Sequence, residues 1–363
     1  MNKKLRVAIV FGGRSTEHEI SLLSAQNVIQ ALDKDKFEAV LIGIDKTGKW
    51  HYNKDSFKLL NKNNAREVSA AFEDNAILIS QNAGEHTIIS LKNKEQVDHI
   101  DVIFPVLHGT YGEDGSVQGF AKLANLACVG CDILGSAVGM DKDIMKRLLR
   151  DSGIPVARWR TQRAENDLLD YDEVSSELGS ELFIKPANLG SSVGVSFVDN
   201  SSDFKKALEY GLLFDPKVIV EEKLVGREIE CAVLGNEYPK ASLPGEVIPK
   251  NSFYSFENKY MDESGAELVI PAQLSEMQIE KIQELSLKTY KALECKGMAR
   301  VDVFLTKDDD IIVNEINTLP GFTNISMYPK LWEISGLDQT SLITELIHLA
   351  LDAHKKQNNL RLK

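Results

Sequence analysis

The chain is short of cysteine, of positive charge and of long apolar runs, and each shortage closes off a class of protein. Four cysteines in 363 residues cannot supply a disulfide framework. Cys128 and Cys131 have C-x-x-C spacing, but no second pair completes a zinc site, so they read as small buried hydrophobes in a reduced, cytoplasmic protein. Lys and Arg number 42 against 54 Asp and Glu, a net charge of −12. A duplex nucleic acid would need a basic surface instead. No apolar run approaches the ~20 residues of a membrane-spanning helix, so a membrane is not an expected partner either. In MNKKLRVAIVFGG the apolar stretch after the lysines is too short for a signal-peptide core and reads as a first strand. Internal repeats and low-complexity tracts are also missing.

What is present is a chain long enough for two or three domains, with 43% hydrophobic and 26% charged residues, as in globular proteins. Arg6 to Phe11 reads as a strand, Gly12-Gly13 as a tight turn, and a helix follows. Thr16 and Glu19 fit a capping box there, and Leu22, Ala25, Ile29 and Leu32 keep helical spacing. Phe37 to Ile44 is the next strand. This β-turn-α-β start is a doubly wound pattern, in which ligands meet the carboxyl ends of the strands. FGGRSTEHE lacks the third glycine of a dinucleotide fingerprint. Glu17 is either a favourable charge at the positive helix end or a group that holds a substrate amine. Residues 48–97 are polar and irregular, an elaboration of the first domain. Asp101 to Leu107 is a further strand, running into HGTYGEDGSVQG and a helix near Ser116; His108 there reads first as a hydrogen-bonded loop residue.

Beyond Gly130 a second region begins. Asp141 to Asp151 is a helix, Val156 to Thr161 and Leu182 to Pro186 are strands, and NLGSSVG leads to a strand from Val195 to Val198. Lys185, inside an apolar strand, needs an anionic partner if buried. Phosphate suits it, because Gly190 and Gly194 let backbone N–H groups approach. Residues 244–261 read as a long lid loop, Ser275 to Leu293 as an amphipathic helix, TLPGFTNISMYP as a connecting segment, and Ser341 to His354 as a last helix.

The stretch 298–317 reads as a hairpin with a two-residue turn at Asp308-Asp309. That register sets Asp302 opposite Glu315 and Arg300 opposite Asn317 on one face, with Val301, Val303, Leu305, Ile312 and Ile316 on the other. Opposed carboxylates with Cβ atoms about 5 Å apart repel unless a cation neutralises them. Two carboxylates and an amide oxygen suit Mg²⁺, which keeps some waters and takes ligands from substrate phosphates. Lys142 and Lys185, a glycine-rich hydroxyl loop and Arg300 complete a set fitted to phosphoryl transfer.

FGGRSTEHEIS, FPVLHGTYGEDGSVQG, GMDK, FIKPANLGSSVGV, FYSFENKY, ARVDVF and NEINTLPGFT occur in the order found in the D-alanine–D-alanine ligase family of ATP-grasp enzymes, which the chain resembles nearly from end to end. The resemblance implies an α/β fold of three domains. A mostly parallel, doubly wound domain spans 1–130, and two α+β domains, 131–220 and 221–363, clamp ATP. It implies that Asp302, Glu315 and Asn317 bind two Mg²⁺ ions, for which Mn²⁺ can substitute. Lys142 and Lys185 would hold the α and β phosphates, Glu221 and Leu224 would meet the adenine, and Glu228 the ribose. Ser192, Glu222, Lys259, Phe304 and Asn314 would complete the nucleotide site. Glu17 would hold the ammonium of the first D-alanine, and Arg300 with Gly321 would stabilise the oxyanion. Ser326 and the backbone at Met327, where the family carries leucine, would take the second carboxylate, with His108 and Asn317 also at the substrate. Tyr260 on the lid would bond Ser191 and so reach Glu17. The family forms D-alanyl-D-alanine through an acyl phosphate and as a homodimer. D-lactate or D-serine ligases, or a non-catalytic nucleotide binder, are the alternatives.

Overall fold

The computed structural model describes residues 3–52, 77–79, 86–90, 95–249 and 266–361. Residues 250–261 of the expected lid, with Lys259 and Tyr260, therefore lie outside the described residues, as does much of 48–97.

The first region runs β1 (Leu5–Gly12), α1 (His18–Ala31), β2 (Phe37–Ile44), β3 (Trp50–Tyr52), β4 (Ile77–Ile79), β5 (Thr87–Ser90), β6 (Gln96–His99), β7 (Val102–Leu107), α2 (Ser116–Leu123) and β8 (Ala127–Cys128). Its main sheet has the order β3-β2-β1-β7-β8, parallel except for β3, while β4, β5 and β6 form a small separate sheet. Val7 to Phe11 are wholly buried, as expected for a central parallel strand covered on both faces. The β1–α1 turn needs glycine. Gly12 sits at φ +90°, and a Cβ there would stand 2.2 Å from the Ile44 carbonyl oxygen. The expected capping box does not form. Helix α1 starts one residue later, with Glu17 in place of Thr16 at its cap position and no side-chain cap bond, and Glu19 reaches Lys46 instead.

The second region holds α3 (Ile133–Met140), α4 (Lys142–Asp151), β9 (Trp159–Arg163), α5 (Tyr171–Leu178), β10 (Leu182–Pro186), β11 (Ser196–Val198), α6 (Ser201–Leu212) and β12 (Lys217–Glu222), with sheet order β11-β10-β12-β9. Strand β9 begins three residues after the expected Val156, because Val156 turns away to bridge Val313 in the next sheet. Helix α4 has two unlike faces. Met145 and Leu149, one turn apart, join the apolar core of the third region, while Asp143 and Lys146 face the second sheet through Thr161, Trp159, Lys217 and Glu221. The second sheet keeps an apolar core of its own, built on Ile184, Phe204, Leu208 and Val220. Across α4 it is docked by charge.

The third region comprises β13 (Arg227–Leu234), β14 (Lys240–Ala241), β15 (Gly245–Pro249), β16 (Ala266–Val269), α7 (Glu276–Ala292), β17 (Met298–Leu305), β18 (Ile311–Asn317), α8 (Met327–Ile334) and α9 (Gln339–Asn358). Its sheet has the order β16-β15-β13-β17-β18, with β14 on β13. Ser275 and Gln278 form a reciprocal capping box at α7. Helix α8 was not expected in the TLPGFTNISMYP segment. It carries Tyr328, Leu331 and Trp332 into a core shared with β1 and α9, so the last helices close onto the first sheet. Among the described residues no helix is long and apolar enough to cross a membrane.

The hairpin differs from its expected turn. Asp309 takes a left-handed conformation (φ +62°) and Thr306 N–H donates to the Asp310 carbonyl, so the loop has one more residue than a two-residue turn. A bulge between Asp302 and Val303 absorbs that residue, leaving Asn314 without a partner opposite. The pairs Asp302–Glu315 and Arg300–Asn317 stand as expected. Nearer the turn the register is shifted by one, so Val313 is buried in place of Ile312, which does not join the core.

Candidate functional site

The three regions meet at a cavity of about 380 Å³. Every described site residue named from the sequence lines it: Glu17, His108, Lys142, Lys185, Ser191, Ser192, Glu221, Glu222, Leu224, Glu228, Arg300, Asp302, Phe304, Asn314, Glu315, Asn317, Gly321, Ser326 and Met327.

Helix α1 supplies one wall through polar residues at helical spacing. Ser21 accepts from Gly12 N–H and donates to the Val106 carbonyl. Ser24 meets His108 Nε2 at 3.1 Å and accepts from Phe322 N–H at 3.3 Å, and Asn27 donates to the Phe322 carbonyl at 2.8 Å. Glu17, at the N-terminal end of the same row, is 6% exposed and accepts a hydrogen bond from Ser191 Oγ on the distant NLGSSVG loop. A Cβ on Gly109 would come within 2.7 Å of Glu17 Oε2, and Gly109 has φ +70°, so only glycine fits beside that carboxylate. His108 Nδ1 lies 3.7 Å from Glu113 Oε1. Burial alone would lower the imidazole, but the bond to Glu113 and the charges of Glu113 and Glu17 outweigh it and raise the ring above its ordinary value.

The opposite wall comes from α4 and the second sheet. Lys142 opens α4, where Asp141 caps the helix by accepting from Ile144 N–H. Its backbone N–H donates to the Ala187 carbonyl at 2.9 Å and its ammonium to the Leu189 carbonyl at 2.7 Å. Ser191 and Ser192, not only glycines, adopt left-handed φ in this loop (53° and 60°), a strained arrangement. Lys185 Nζ lies 2.5 Å from Glu221 Oε2, while the second oxygen of Glu221 contacts Lys146. Burial would push the Glu221 carboxyl up, but the two ammonium groups hold it down to about 2. Glu222 turns its carboxylate outward to Arg158 at 2.6 Å.

The floor is the third sheet. Arg300 clasps Asp302 with two bonds, 2.7 and 2.6 Å, and reaches Glu230 at 3.0 Å. Lys142 stands 3.7 Å from Glu315. The opposed carboxylates are thus balanced by these cations in the structure. The bulge lets consecutive Asn314 and Glu315 both line the cavity, which alternation in a regular strand forbids. Asn317 Oδ1 is buried and has no hydrogen-bond partner among the described residues, an acceptor oxygen beside two carboxylates. Among the described residues no three His, Cys, Asp or Glu side chains converge as a metal cage. Two carboxylates and an amide fit a cation that draws its other ligands from water and phosphate, as Mg²⁺ does. Ser326 occupies the cap position of α8, its Oγ accepting from Thr323 N–H at 2.9 Å, and it lines the cavity together with Met327 at the helix start.

Three polar residues of the site were not singled out from sequence. Glu113 lies in HGTYGEDG and Lys146 among the charged residues of the α4 stretch, where no local pattern marks either. Glu230 alternates with Ile229 and Cys231 in REIECAVL, a period-two signal that would have found it.

A family model described as D-ala D-ala ligase N-terminus matches residues 6–131, and one described as D-ala D-ala ligase C-terminus matches residues 148–348. The chain is 51% identical to the D-alanine--D-alanine ligase of Oceanobacillus iheyensis over 99% of its own length and 98% of the relative's. It superposes on a D-Ala:D-Ser ligase from Enterococcus faecalis with TM-score 0.86 at 34% identity, covering 96% of this chain and 100% of the other. It also superposes on a D-alanine--D-alanine ligase from Bacillus anthracis, solved in complex with ATP, with TM-score 0.73 at 28% identity and coverage of 97% and 99%.

Proposed function

The chain belongs to the D-alanine–D-alanine ligase family, and from that membership and the cavity we infer that it joins two D-alanine molecules to D-alanyl-D-alanine at the expense of ATP, for peptidoglycan precursor synthesis. The observation that carries this reading is the meeting, in one cavity, of Lys142 and Lys185, the Asp302/Glu315/Asn317 face and the Glu17–Ser191 pair. Glu17 binds the ammonium of the first D-alanine and sets its carboxylate toward the γ-phosphate. The carboxylate oxygen attacks phosphorus and ADP leaves, giving D-alanyl phosphate. The amine of the second D-alanine, its carboxylate held at Ser326 and the α8 N-terminus, attacks the acyl carbon. Arg300 and Gly321 stabilise the oxyanion, and phosphate departs. Asp302, Glu315 and Asn317 would hold Mg²⁺, or Mn²⁺ in its place, which when bound would neutralise the phosphate charge. Lys142, Lys185 and the strained serine loop bind the phosphates, and Glu221, Leu224 and Glu228 the nucleoside.

Three parts of this reading rest on the resemblance: a lid carrying Lys259 and Tyr260, a homodimer, and a cytoplasmic setting. The division into three domains is supported by the three main sheets, with the second sheet running through Glu222.

A second reading, D-serine as acceptor, draws on the likeness to the Enterococcus faecalis enzyme. The higher identity to the D-alanine ligase favours D-alanine as the acceptor. An assay of ADP and phosphate release with D-alanine, D-serine and D-lactate in competition, scored by product, separates them. D-alanyl-D-alanine as the minor product would overturn the assignment.

A further inference from the structure

Lys146 is a buried cation that the reaction above leaves without a task. It lies one turn beyond Lys142 on α4, 1% exposed, in contact with Glu221 Oε1 and 5.8 Å from the centre of the Trp159 ring. Glu221 is 4% exposed, and its other oxygen takes Lys185 at 2.5 Å. One carboxylate therefore holds two ammonium groups, one per oxygen, in the cavity wall. Burying a second cation at such a place is costly, and an apolar side chain of similar length would pack there more cheaply.

The two lysines differ in what they can reach. Lys185 lines the cavity with Ser191 and Ser192 and is open to an entering polyphosphate, whereas Lys146 does not line it and is closed between Glu221 and Trp159. A nucleotide that draws Lys185 toward its phosphates takes a cation away from Glu221. Without Lys146 the carboxylate would then be buried and unpaired, and it would neutralise by taking a proton. With Lys146 fixed on Oε1, the group stays ionised, its plane is set, and Oε2 faces the cavity as a pure acceptor.

Resting on the nucleotide reading given above, we propose that Lys146 is a positioning residue for the nucleobase: by holding Glu221 it makes the base site select a purine with an exocyclic amine, adenine, over one with a carbonyl at that position. An ionised carboxylate accepts from the amine and repels the carbonyl. A protonated one could donate to the carbonyl, and discrimination would fall.

The test compares ATP with ITP, which carries the carbonyl, as co-substrate with saturating D-alanine and Mg²⁺, using the full-length protein, Lys146→Met and Glu221→Gln. Lys146→Met should raise KM for ATP about tenfold with a smaller change in kcat, leave KM for ITP within about twofold, and so lower the ATP:ITP ratio of kcat/KM about tenfold. Glu221→Gln, whose amide can donate to the carbonyl, should lower that ratio at least as far. An unchanged ratio, or equal losses with both nucleotides, makes Lys146 a packing residue and overturns the proposal. Should Lys146→Met fail to fold by circular dichroism, Glu221→Gln decides by the same ratio, with the Tm shifts given by ATP and by ITP as its check. Wild-type protein that forms no dipeptide from ATP and D-alanine would sink the ligase reading instead, and those Tm shifts in the variants would still judge Lys146.

Discussion

Lys142 and Glu315 face each other 3.7 Å apart, one at the first turn of α4 and the other on the hairpin strand β18. The pair joins the α4 wall of the cavity to its β18 floor, and each residue's charge is partly answered by the other.

Glu315→Gln should therefore abolish turnover without unfolding the chain. Glutamine keeps the size but removes the charge that faces Lys142. We expect a loss of about 100-fold or more in kcat with Mg²⁺, by analogy with other losses of preorganised charge, read by ADP release, and an unchanged circular dichroism spectrum. Near-normal turnover would remove Glu315 from the metal set.

Lys185→Ala should chiefly damage ATP use. A charge-assisted hydrogen bond contributes about 1.5–3 kcal/mol, so kcat/KM for ATP should fall about tenfold or more, while Lys146 keeps Glu221 paired and the fold intact. An unchanged value would return Lys185 to a structural role.

Acid stability should carry the mark of Glu221. Its carboxyl lies at about 2 in the fold against an ordinary 4.5. A depressed folded value contributes stability that is fully present above pH 4.5 and is lost as pH falls toward 2. Denaturant unfolding of wild type and Glu221→Gln should show a stability gap that is widest above pH 4.5 and narrows below it. A gap that stays constant down to pH 2 would mean that the pairing with Lys146 and Lys185 is not ionic.

His108 should titrate above 6.5, and Glu113→Gln should bring it down. The sign follows from the raised folded value: the ionic contribution is full below 6.5 and is lost as pH rises through the folded value. Following the imidazole C–H resonance of His108 by NMR in both proteins measures this directly. Equal titration midpoints would show that Glu113 does not hold the charged ring.

Much of this could be read from residue order, and the failures have definite causes. Strands such as β1 and β7 were legible because buried strands are continuous apolar runs. Helix α8 was not, since Pro329 and the preceding Pro320-Gly321 disguise a helix of only eight residues. The expected cap at Thr16 failed because Glu17 is drawn to Ser191, a contact across 174 positions that no local pattern encodes. Lys146 escaped because a lysine among charged neighbours reads as solvated until the strand opposite supplies a carboxylate. The hairpin is the instructive case. Its key pairs were right although the turn was one residue short, because the bulge at Asn314 cancels the difference.

That cancellation separates the register of the site from the length of strand β18. Asn314 is the spare residue of the strand, with no partner opposite, so removing it alone would leave Val313 opposite Val303 and Glu315 opposite Asp302 and turn the bulge into a regular ladder. The paired carboxylates and the buried Ile316 would keep their faces, and only Asn314's place in the cavity would be lost. The hairpin can thus lose one residue at the bulge without losing the register of its carboxylates.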